Sequence, residues 1–232
     1  MRIAAISDIH GNIYALMSVL EDIDSENIDF IMCLGDLVGY GPHPNEVIAL
    51  IRRKRIPCLK GNYDASVVDN DFTYIRDTYI NSFVLPWTVN ELRASNKEFL
   101  KSLPSSMTLE FEGKKITFVH GSPRKINEYL LQDSEETTEV MKDFQGDILV
   151  AAHTHLPGYK EFNDKLFIND GSVGKPMLGR PNATYAIIDI QGNSKPKVNF
   201  KEVPYEYKRI MKDMQLLNFP TNLIDGYESG TE

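Results

Sequence analysis

Seven side chains that could bind metal ions are concentrated in five short motifs along the 232-residue chain. Each motif stands at or just after the end of an apolar or β-branched run, where a sheet delivers side chains to its carboxyl edge. Carboxylate, amide and imidazole groups in this mixture favour Mn, Fe, Zn or Ni over Ca or Mg. The candidate metal ligands are Asp8, His10, Asp36, Asn62, His120, His153 and His155.

The spacing of these residues indicates one shared centre for two ions. Asp8 and His10 are separated by one residue, as are His153 and His155, and each pair can turn toward one point. A single pair of this kind is common in proteins without metal, but independent surface histidines have no reason to follow one strand after another. Two divalent ions about 3.5–4 Å apart would lower the pKa of a bridging water and clamp a phosphoryl group.

The first third of the chain predicts alternating strands and helices that would position these motifs. Apolar runs at Arg2–Ser7, Phe30–Leu34 and Ile56–Leu59 predict three buried strands. Asn12 can cap the helix after the first strand, and Pro44 opens the helix after the second. This βαβαβ order predicts a parallel sheet with right-handed crossovers.

The remainder of the chain predicts helices followed by many strands. Residues from about 65 to 104 form a helical segment, with helices expected on either side of Pro86-Trp87. A hairpin is expected across Glu112–Lys114, a late helix over Tyr205–Leu217 and a frayed tail over Glu228–Glu232. Strands are expected at 148–151, 166–168, 183–190 and 197–203, the last two pairing across Gly192-Asn193. Two sheets packed face to face with helices outside fit this order.

Composition limits the partners and the environment. The net charge of −8 argues against a general nucleic-acid or anionic-membrane binder, because both need a basic surface. The first residues contain no signal-peptide pattern, and no apolar run reaches the ~18–20 residues that span a bilayer. Cys33 and Cys58 lack CxxC spacing and are interpreted as two buried reduced thiols. We expect a cytoplasmic protein with one domain over residues 1–232.

The five motifs together resemble the ordered signature of the calcineurin-like metallophosphoesterases, and in particular a prokaryotic branch of small phosphodiesterase-like members. The resemblance extends from residue 1 to about residue 190. The motifs are Asp8-Ile9-His10, Gly35-Asp36, Gly61-Asn62-Tyr63-Asp64, Val119-His120-Gly121 and Ala152-His153-Thr154-His155. The resemblance implies an α/β fold, a four-layer α/β/β/α sandwich of two mixed sheets flanked by helices.

The resemblance also implies a division of the ligands between two ions. One ion would be held by Asp8, His10, Asp36 and His155, and the other by Asp36, Asn62, His120 and His153. Asp36 would bridge the two ions, and a metal-bridging hydroxide would attack phosphorus. The implied function is a phosphodiesterase or nucleotide phosphohydrolase for a small phosphorylated substrate, with a nucleotide among the candidates.

Tyr63 departs from the pattern of the family. Many members carry a histidine at this position, as the acid for the leaving oxygen, oriented by the aspartate that corresponds to Asp64. A phenol with an ordinary pKa near 10 is poorly matched to proton transfer near pH 7, so a packing role for Tyr63 is weighed equally with an acid role. Asn12 and Arg180 are the candidate substrate contacts, with a helix cap and a solvated arginine as their simpler roles.

Several functions compete with the leading one. A dinucleoside polyphosphate hydrolase is the nearest alternative, followed by a phosphoprotein phosphatase. The stretch Gly39-Tyr40-Gly41 lacks the arginine that eukaryotic-type protein phosphatases carry there, which counts against the phosphatase. A non-catalytic metal-binding scaffold stays open because of Tyr63, whereas a nuclease is disfavoured by the acidic charge balance. The oligomeric state is left open.

Overall fold

Nine β-strands form two mixed sheets in the computed structural model, which describes residues 1–192 and 194–231. Within these residues the strands are β1 (Arg2–Ile6), β2 (Phe30–Cys33), β3 (Ser106–Phe111), β4 (Lys114–Val119), β5 (Ile148–Ala151), β6 (Gly158–Phe162), β7 (Lys165–Asn169), β8 (Asn182–Asp189) and β9 (Lys197–Pro204). The first sheet has the order β2-β1-β8-β9, and the second has the order β3-β4-β5-β7-β6. Parallel pairs join β1 to β2, β4 to β5 and β5 to β7, so the ends of these strands share an edge.

Helices cover the outer face of each sheet. They are α1 (Ile13–Ser25), α2 (Pro44–Lys54), α3 (Asn62–Asp69), α4 (Tyr79–Glu91), α5 (Ala94–Ser102), α6 (Glu135–Asp143), α7 (Tyr207–Leu216) and α8 (Thr221–Ser229). A short 3₁₀ turn at Phe72–Tyr74 lies between α3 and α4. Among the described residues, no helix is long and apolar enough to cross a membrane.

The period-two alternation of β1 explains the layers. Ile3 and Ala5 belong to the core between the two sheets, together with Phe118 and Val150 of the second sheet. Ala4 and Ile6 point the other way, into a core shared with most of the helices. The outer face of the second sheet packs against α6 through Phe167 and its neighbours. The expected four-layer α/β/β/α sandwich is therefore confirmed.

Local sequence signals set the helix ends near the first sheet. The side chain of Asn12 accepts a hydrogen bond from the Ala15 amide at 3.1 Å and caps α1, as expected. Pro44 occupies the first turn of α2. The basic residues of its last turn stabilise the helix by interacting with the negative end of the helix dipole. These helices hold the loops after β1 and β2 in place.

Two expectations about the first half of the chain are corrected. The predicted strand Ile56–Leu59 is reduced to a single parallel bridge between Cys33 and Cys58, because Pro57 has no amide hydrogen to continue a ladder. Helix α4 continues through Pro86. Pro86 has no amide hydrogen to donate to the Ser82 carbonyl, and Ser82 is exposed, so the missing hydrogen bond lies on the solvent side of the helix. The expected break falls after Glu91 instead.

The chain end differs from the expected frayed tail, because α8 includes Glu228. Strand β6 and helix α6 were not anticipated from the sequence. The expected late helix corresponds to α7, and the hairpin between β3 and β4 is confirmed. Strands β8 and β9 pair as expected, although Asn193 of their expected turn lies outside the described residues, as does Glu232. Both cysteines are buried and free.

Candidate metal centre

The seven candidate ligands converge at one edge of the sandwich. Four strand ends deliver six of them: two follow β1, one follows β2, one follows β4 and two follow β5. Asn62 is supplied by the first residue of α3. Two groups of three residues could each hold a metal ion, because the ligand atoms within each group lie within 4.8 Å of one another. The first group is Asp8, His10 and His155, and the second is Asp8, Asp36 and His120.

Two carboxylate oxygens lie between the imidazoles. Asp8 Oδ1 is 3.3 Å from His155 Nε2 and 3.7 Å from His10 Nε2. Asp36 Oδ2 is 3.4 Å from His120 Nε2 and 3.8 Å from His10 Nε2. Asp8 Oδ1 is also 3.9 Å from His120 Nε2, so both carboxylates occupy central positions. The two ligand groups overlap and do not form separate sites.

The imidazole rings are oriented by backbone carbonyls behind them. His10 Nδ1 lies 3.0 Å from the Val38 carbonyl oxygen, and His155 Nδ1 lies 2.7 Å from that of Lys175. His120 Nδ1 has the same relation to Leu34 at 2.9 Å. A carbonyl can only accept, so each ring places a hydrogen on Nδ1. His10 and His155 therefore turn an Nε2 lone pair inward, whereas His120 Nε2 donates to Asn62 Oδ1 at 2.8 Å.

The inward-facing atoms form a set that a cation would satisfy. His10 Nε2 and His155 Nε2 are only 3.2 Å apart, which brings two lone pairs together. Asp8 Oδ1 and His153 Nε2 are buried without a hydrogen-bond partner among the described residues. Buried polar atoms left unpaired are costly, so these orphaned acceptors fit divalent metal ions well.

The backbone of the ligand loops is strained. Asp8, His10, Asp36, His153 and His155 all have positive φ, between 48° and 68°, a region that residues other than glycine rarely adopt. Such conformations cost about 1–3 kcal/mol each and persist only where the surroundings enforce them. Here the enforcement comes from bonds between loops: the Asp8 amide donates to the Gly35 carbonyl at 3.0 Å, and the His10 amide donates to the Asp36 carbonyl at 2.9 Å.

Two glycines permit the close approach of these loops. A Cβ on Gly61 would lie 2.0 Å from Asp36 Oδ1, and a Cβ on Gly174 would lie 1.8 Å from the Ile9 carbonyl oxygen. Neither position has room for any side chain. The loops after β1 and β2 are therefore fixed against neighbouring backbone.

The charges of the cluster shift its pKa values strongly. Burial opposes ionisation of Asp8 and Asp36, but the neighbouring imidazoles hold the pKa of both carboxyls below the ordinary range. Burial also opposes protonation of His120, yet Asp36 and Asp8 raise its pKa to about 10. Burial lowers the pKa of His10 to about 4, and burial and the charge on His120 lower that of His153 to about 3. The cluster therefore holds a proton on His120 while the other two rings are neutral.

A ring of buried groups supports the ligands from behind. Asp64 accepts hydrogen bonds from the amides of Leu37 and Gly61, both at 3.0 Å, and so joins two ligand loops. Burial, together with the charge of Asp36, raises the pKa of Asp64 to about 7. Asp64 therefore holds two loops of the centre together, and its expected role in catalysis stays a prediction.

Ser7 links one ligand to a second buried carboxyl. Its Oγ is 2.8 Å from Asp8 Oδ2 and 2.8 Å from Asp170 Oδ1. Burial and the charge of Asp8 raise the pKa of Asp170 well above the ordinary value. Neither Ser7 nor Asp170 was singled out from the sequence, and an isolated serine or aspartate carries no local signal of such a contact.

Tyr63 is buried in the wall of the centre. Its ring packs 5.1 Å from the His10 ring and 4.9 Å from the Tyr40 ring, and its hydroxyl donates to Asn81 Oδ1 at 2.8 Å. Burial and the neighbouring Tyr40 raise the pKa of the phenol well above 10. The Tyr63 amide donates to Asp36 Oδ1 at 2.8 Å, so this residue also positions a ligand.

A cavity of about 250 Å³ opens over the ligands and is lined by Asp36, Asn62, His153 and His155. Its remaining wall is mostly polar and aromatic, with Ile75 and Met177 as aliphatic members. Residues outside the ligand set in this wall include Tyr40, Tyr74, Arg76, Asn127, Tyr129 and Lys175. None of these six was predicted from the sequence as a site residue, because they come from separate loops.

Two predicted substrate contacts lie elsewhere. Arg180 is half exposed, and its Nε donates to Glu202 Oε2 at 2.7 Å. Asn12 is buried and divides its amide between the cap of α1 and the Gly174 carbonyl. His43, which lies outside the motifs, places its Nε2 3.0 Å from Asp213 Oδ2. The structure does not bring these residues into the lining of the cavity.

The chain is similar to a family of known proteins. The calcineurin-like phosphoesterase superfamily domain matches residues 1–193. An uncharacterised protein of Methanocaldococcus jannaschii is 35% identical over 224 residues, spanning 89% of this chain and 89% of that protein. The phosphodiesterase YfcE of Escherichia coli is 24% identical over 201 residues, spanning 82% of this chain and 88% of that protein.

A solved structure covers the same extent. The crystal structure of a metallophosphoesterase from Sphaerobacter thermophilus has a TM-score of 0.82 and 29% identity, covering 100% of this chain and 99% of that chain. The fold described above therefore has a counterpart in a solved structure over the whole length of the chain.

Proposed function

Since the chain belongs to the calcineurin-like phosphoesterase superfamily, we propose that it is a dinuclear metal-dependent phosphoesterase, a phosphodiesterase or nucleotide phosphohydrolase. The observation that carries the proposal is the convergence of the seven candidate ligands at one edge of the sandwich, where four of them line the floor of one cavity. Its small size favours a small phosphorylated substrate over a macromolecule.

The residues present fit two divalent ions. One ion would be held by Asp8, His10, Asp36 and His155, and the other by Asp36, Asn62, His120 and His153. The orphaned Asp8 Oδ1 and His153 Nε2 support this division, because each ion would satisfy one of them. Mixed imidazole and carboxylate donors favour Mn, Fe, Zn or Ni. When bound, such ions lower the pKa of water and polarise phosphoryl oxygens.

The protein itself would orient the substrate and exclude water. Arg76, Asn127 and Lys175 line the cavity beside the ligands and offer donors to phosphoryl oxygens. Tyr63 donates its hydroxyl hydrogen to Asn81 and is poorly placed to protonate a leaving oxygen. We therefore expect the fastest turnover for leaving groups that depart as stable anions, such as phenolates.

The proposal is tested with metal-free protein supplied with Mn²⁺, Zn²⁺, Fe²⁺ or Ni²⁺. Four substrates separate the candidate activities: a bis-aryl phosphate, an aryl monophosphate, diadenosine tetraphosphate and a phosphopeptide. The bis-aryl phosphate is expected to be hydrolysed fastest. Preference for diadenosine tetraphosphate or for the phosphopeptide would favour the corresponding alternative activity. If all four were inert with every metal, the enzyme proposal would be wrong and a metal-binding scaffold would remain.

The assignment of the bridging ligand has its own test. Asp36→Asn is expected to lower metal content and to reduce kcat/KM by more than roughly 100-fold, since even residues behind a ligand contribute about 10–100-fold. Asp24→Asn is the matched control, because Asp24 is exposed and pairs with Lys54 on the surface, away from the candidate ligands. Activity and metal content that stay unchanged in Asp36→Asn would contradict the assignment.

A further inference from the structure

Two tyrosines form the aromatic part of the cavity wall outside the ligand set. Tyr74 and Tyr129 both line the cavity, and both side chains remain about 40% exposed, at 39% and 42%. Exposed single tyrosines are ordinary on protein surfaces. Two in the wall of one small cavity, beside a cluster of metal ligands, place planar apolar surface where a substrate would lie.

Tyr129 is held in a fixed position by its neighbours. Its ring centroid is 4.3 Å from that of His153, and the Arg76 guanidinium lies 5.6 Å from the ring centroid. The Tyr129 hydroxyl accepts a hydrogen bond from Arg76 Nη2 at 3.1 Å. The Tyr129 ring is thus in direct contact with a candidate metal ligand. It would lose little conformational freedom when a substrate binds.

Tyr74 is held through its backbone and leaves its ring available. The Tyr74 carbonyl accepts hydrogen bonds from the side-chain amides of Asn62 at 3.4 Å and Asn127 at 3.2 Å. Asn62 is itself a candidate ligand, so the 3₁₀ turn that carries Tyr74 is tied to the metal centre. Among the described residues, none stacks on the Tyr74 ring or hydrogen-bonds to its hydroxyl.

We propose that Tyr74 and Tyr129 bind a planar aromatic group of the substrate, a nucleobase or an aryl ring, next to the phosphoryl group that is hydrolysed. The proposal rests on the proposed function and narrows it to phosphoesters that carry such a ring on the group that does not leave. Aromatic faces stack on any nucleobase or aryl group with little sequence preference. A cavity of about 250 Å³ has room for a phosphoryl group and one ring system beside the candidate ligands.

Three diesters with the same leaving group test the pair. They are methyl p-nitrophenyl phosphate, phenyl p-nitrophenyl phosphate and thymidine 5′-(p-nitrophenyl phosphate). Since stacking on an aromatic residue typically changes affinity by about 10-fold, kcat/KM is expected to be roughly 10-fold higher for the ring-bearing esters than for the methyl ester. A gain with both rings supports a site that accepts either ring, a gain only with thymidine assigns a nucleobase, and a gain with phenyl alone assigns an aryl group.

Variants locate the effect. Tyr74→Ala and Tyr129→Leu are each expected to reduce the difference between ring-bearing and methyl esters to less than about threefold, mostly through KM. Tyr79→Ala is the matched control, since Tyr79 is 76% exposed on α4 and does not line this cavity. Equal kcat/KM for the three esters in the unaltered protein, or a difference that persists in both variants, would overturn the proposal.

A binding measurement separates this proposal from the proposed function. Calorimetry on the metal-loaded protein compares AMP with ribose 5-phosphate, which share the phosphate and the sugar. AMP is expected to bind about 10-fold tighter, and Tyr74→Ala is expected to remove the advantage. If the three diesters and the four substrates of the proposed-function test were all inert, but the AMP advantage and its loss were observed, the proposed function would fail and the aromatic site would stand. Equal binding of AMP and ribose 5-phosphate would refute the aromatic site whatever the activity.

Discussion

Metal binding should release a proton from His120, and this gives the metal centre a distinct pH dependence. The Asp36 and Asp8 carboxylates outweigh burial and raise the pKa of His120 to about 10 in the metal-free protein. A metal ion needs the Nε2 lone pair, so the proton must leave when the ion binds. Metal affinity is therefore weakest at low pH, rises about tenfold per pH unit, and levels off above a pH of about 10.

The size of the effect follows from the distance between the pKa and the working pH. At pH 7 the difference is 10 − 7, or three pH units. Proton competition then weakens metal affinity by about 1000-fold, on the order of 4 kcal/mol, relative to a site with neutral His120. Asp64, whose pKa is raised to about 7 by burial and Asp36, adds up to half a proton at the same pH.

Titration calorimetry of Mn²⁺ into metal-free protein can count these protons. In HEPES, PIPES and Tris at pH 7 the observed enthalpy should vary with the ionisation enthalpy of the buffer, with a slope of one to one and a half protons released. His120→Gln should lose one full proton from that slope. His43→Gln should leave it unchanged, because His43 faces Asp213 outside the centre. An enthalpy independent of buffer in the unaltered protein would refute this account of the cluster.

Three further predictions concern residues that support the ligands. Gly61→Ala should lower Mn²⁺ affinity by more than about tenfold, since the new Cβ would lie 2.0 Å from the Asp36 carboxylate. Gly158→Ala is the control and should bind Mn²⁺ normally in the same titration, because its Cβ would meet the flexible end of a glutamine side chain. Tyr63→Phe should lower the free energy of unfolding by about 1–3 kcal/mol in urea, because a buried amide oxygen loses its donor; an unchanged midpoint would contradict the bond. Ser7→Ala should weaken metal binding by about 10–100-fold through the loss of a hydroxyl between two carboxyl groups, while the surface variant Ser25→Ala should not.

Most strands and the convergence of the candidate ligands were predictable, because strands leave apolar runs in the sequence and the candidate ligands follow those runs. Apolar runs such as that before Asp8 mark buried strands, and the residues after them reach a common edge in any parallel arrangement. The sequence also indicated the two-sheet architecture from the excess of strands in the second half. These features depend on local pattern and on general topology, so one sequence was enough.

Other features depended on contacts that no local pattern encodes. The path of α4 through Pro86 is tolerated because the affected carbonyl belongs to an exposed residue, which the sequence alone does not reveal. Strand Ile56–Leu59 was expected from its apolar residues, yet Pro57 limits it to one bridge. Tyr74 and Tyr129 meet in one cavity although 54 intervening residues separate them in the chain. Long-range placement of this kind is a property of the whole fold.

The strained loops of the centre show why its candidate residues could be identified from the sequence although their geometry could not. Five candidate ligands adopt positive φ, and at about 1–3 kcal/mol each the strain amounts to a sizeable share of the ~5–15 kcal/mol by which a domain is stable. No isolated loop would accept that cost. It is offset here by hydrogen bonds between loops, such as that from the His10 amide to the Asp36 carbonyl, and by glycines that let backbones touch. Ligand geometry is therefore stabilised by the assembled sandwich, and perturbing either loop should disturb ligands on the other.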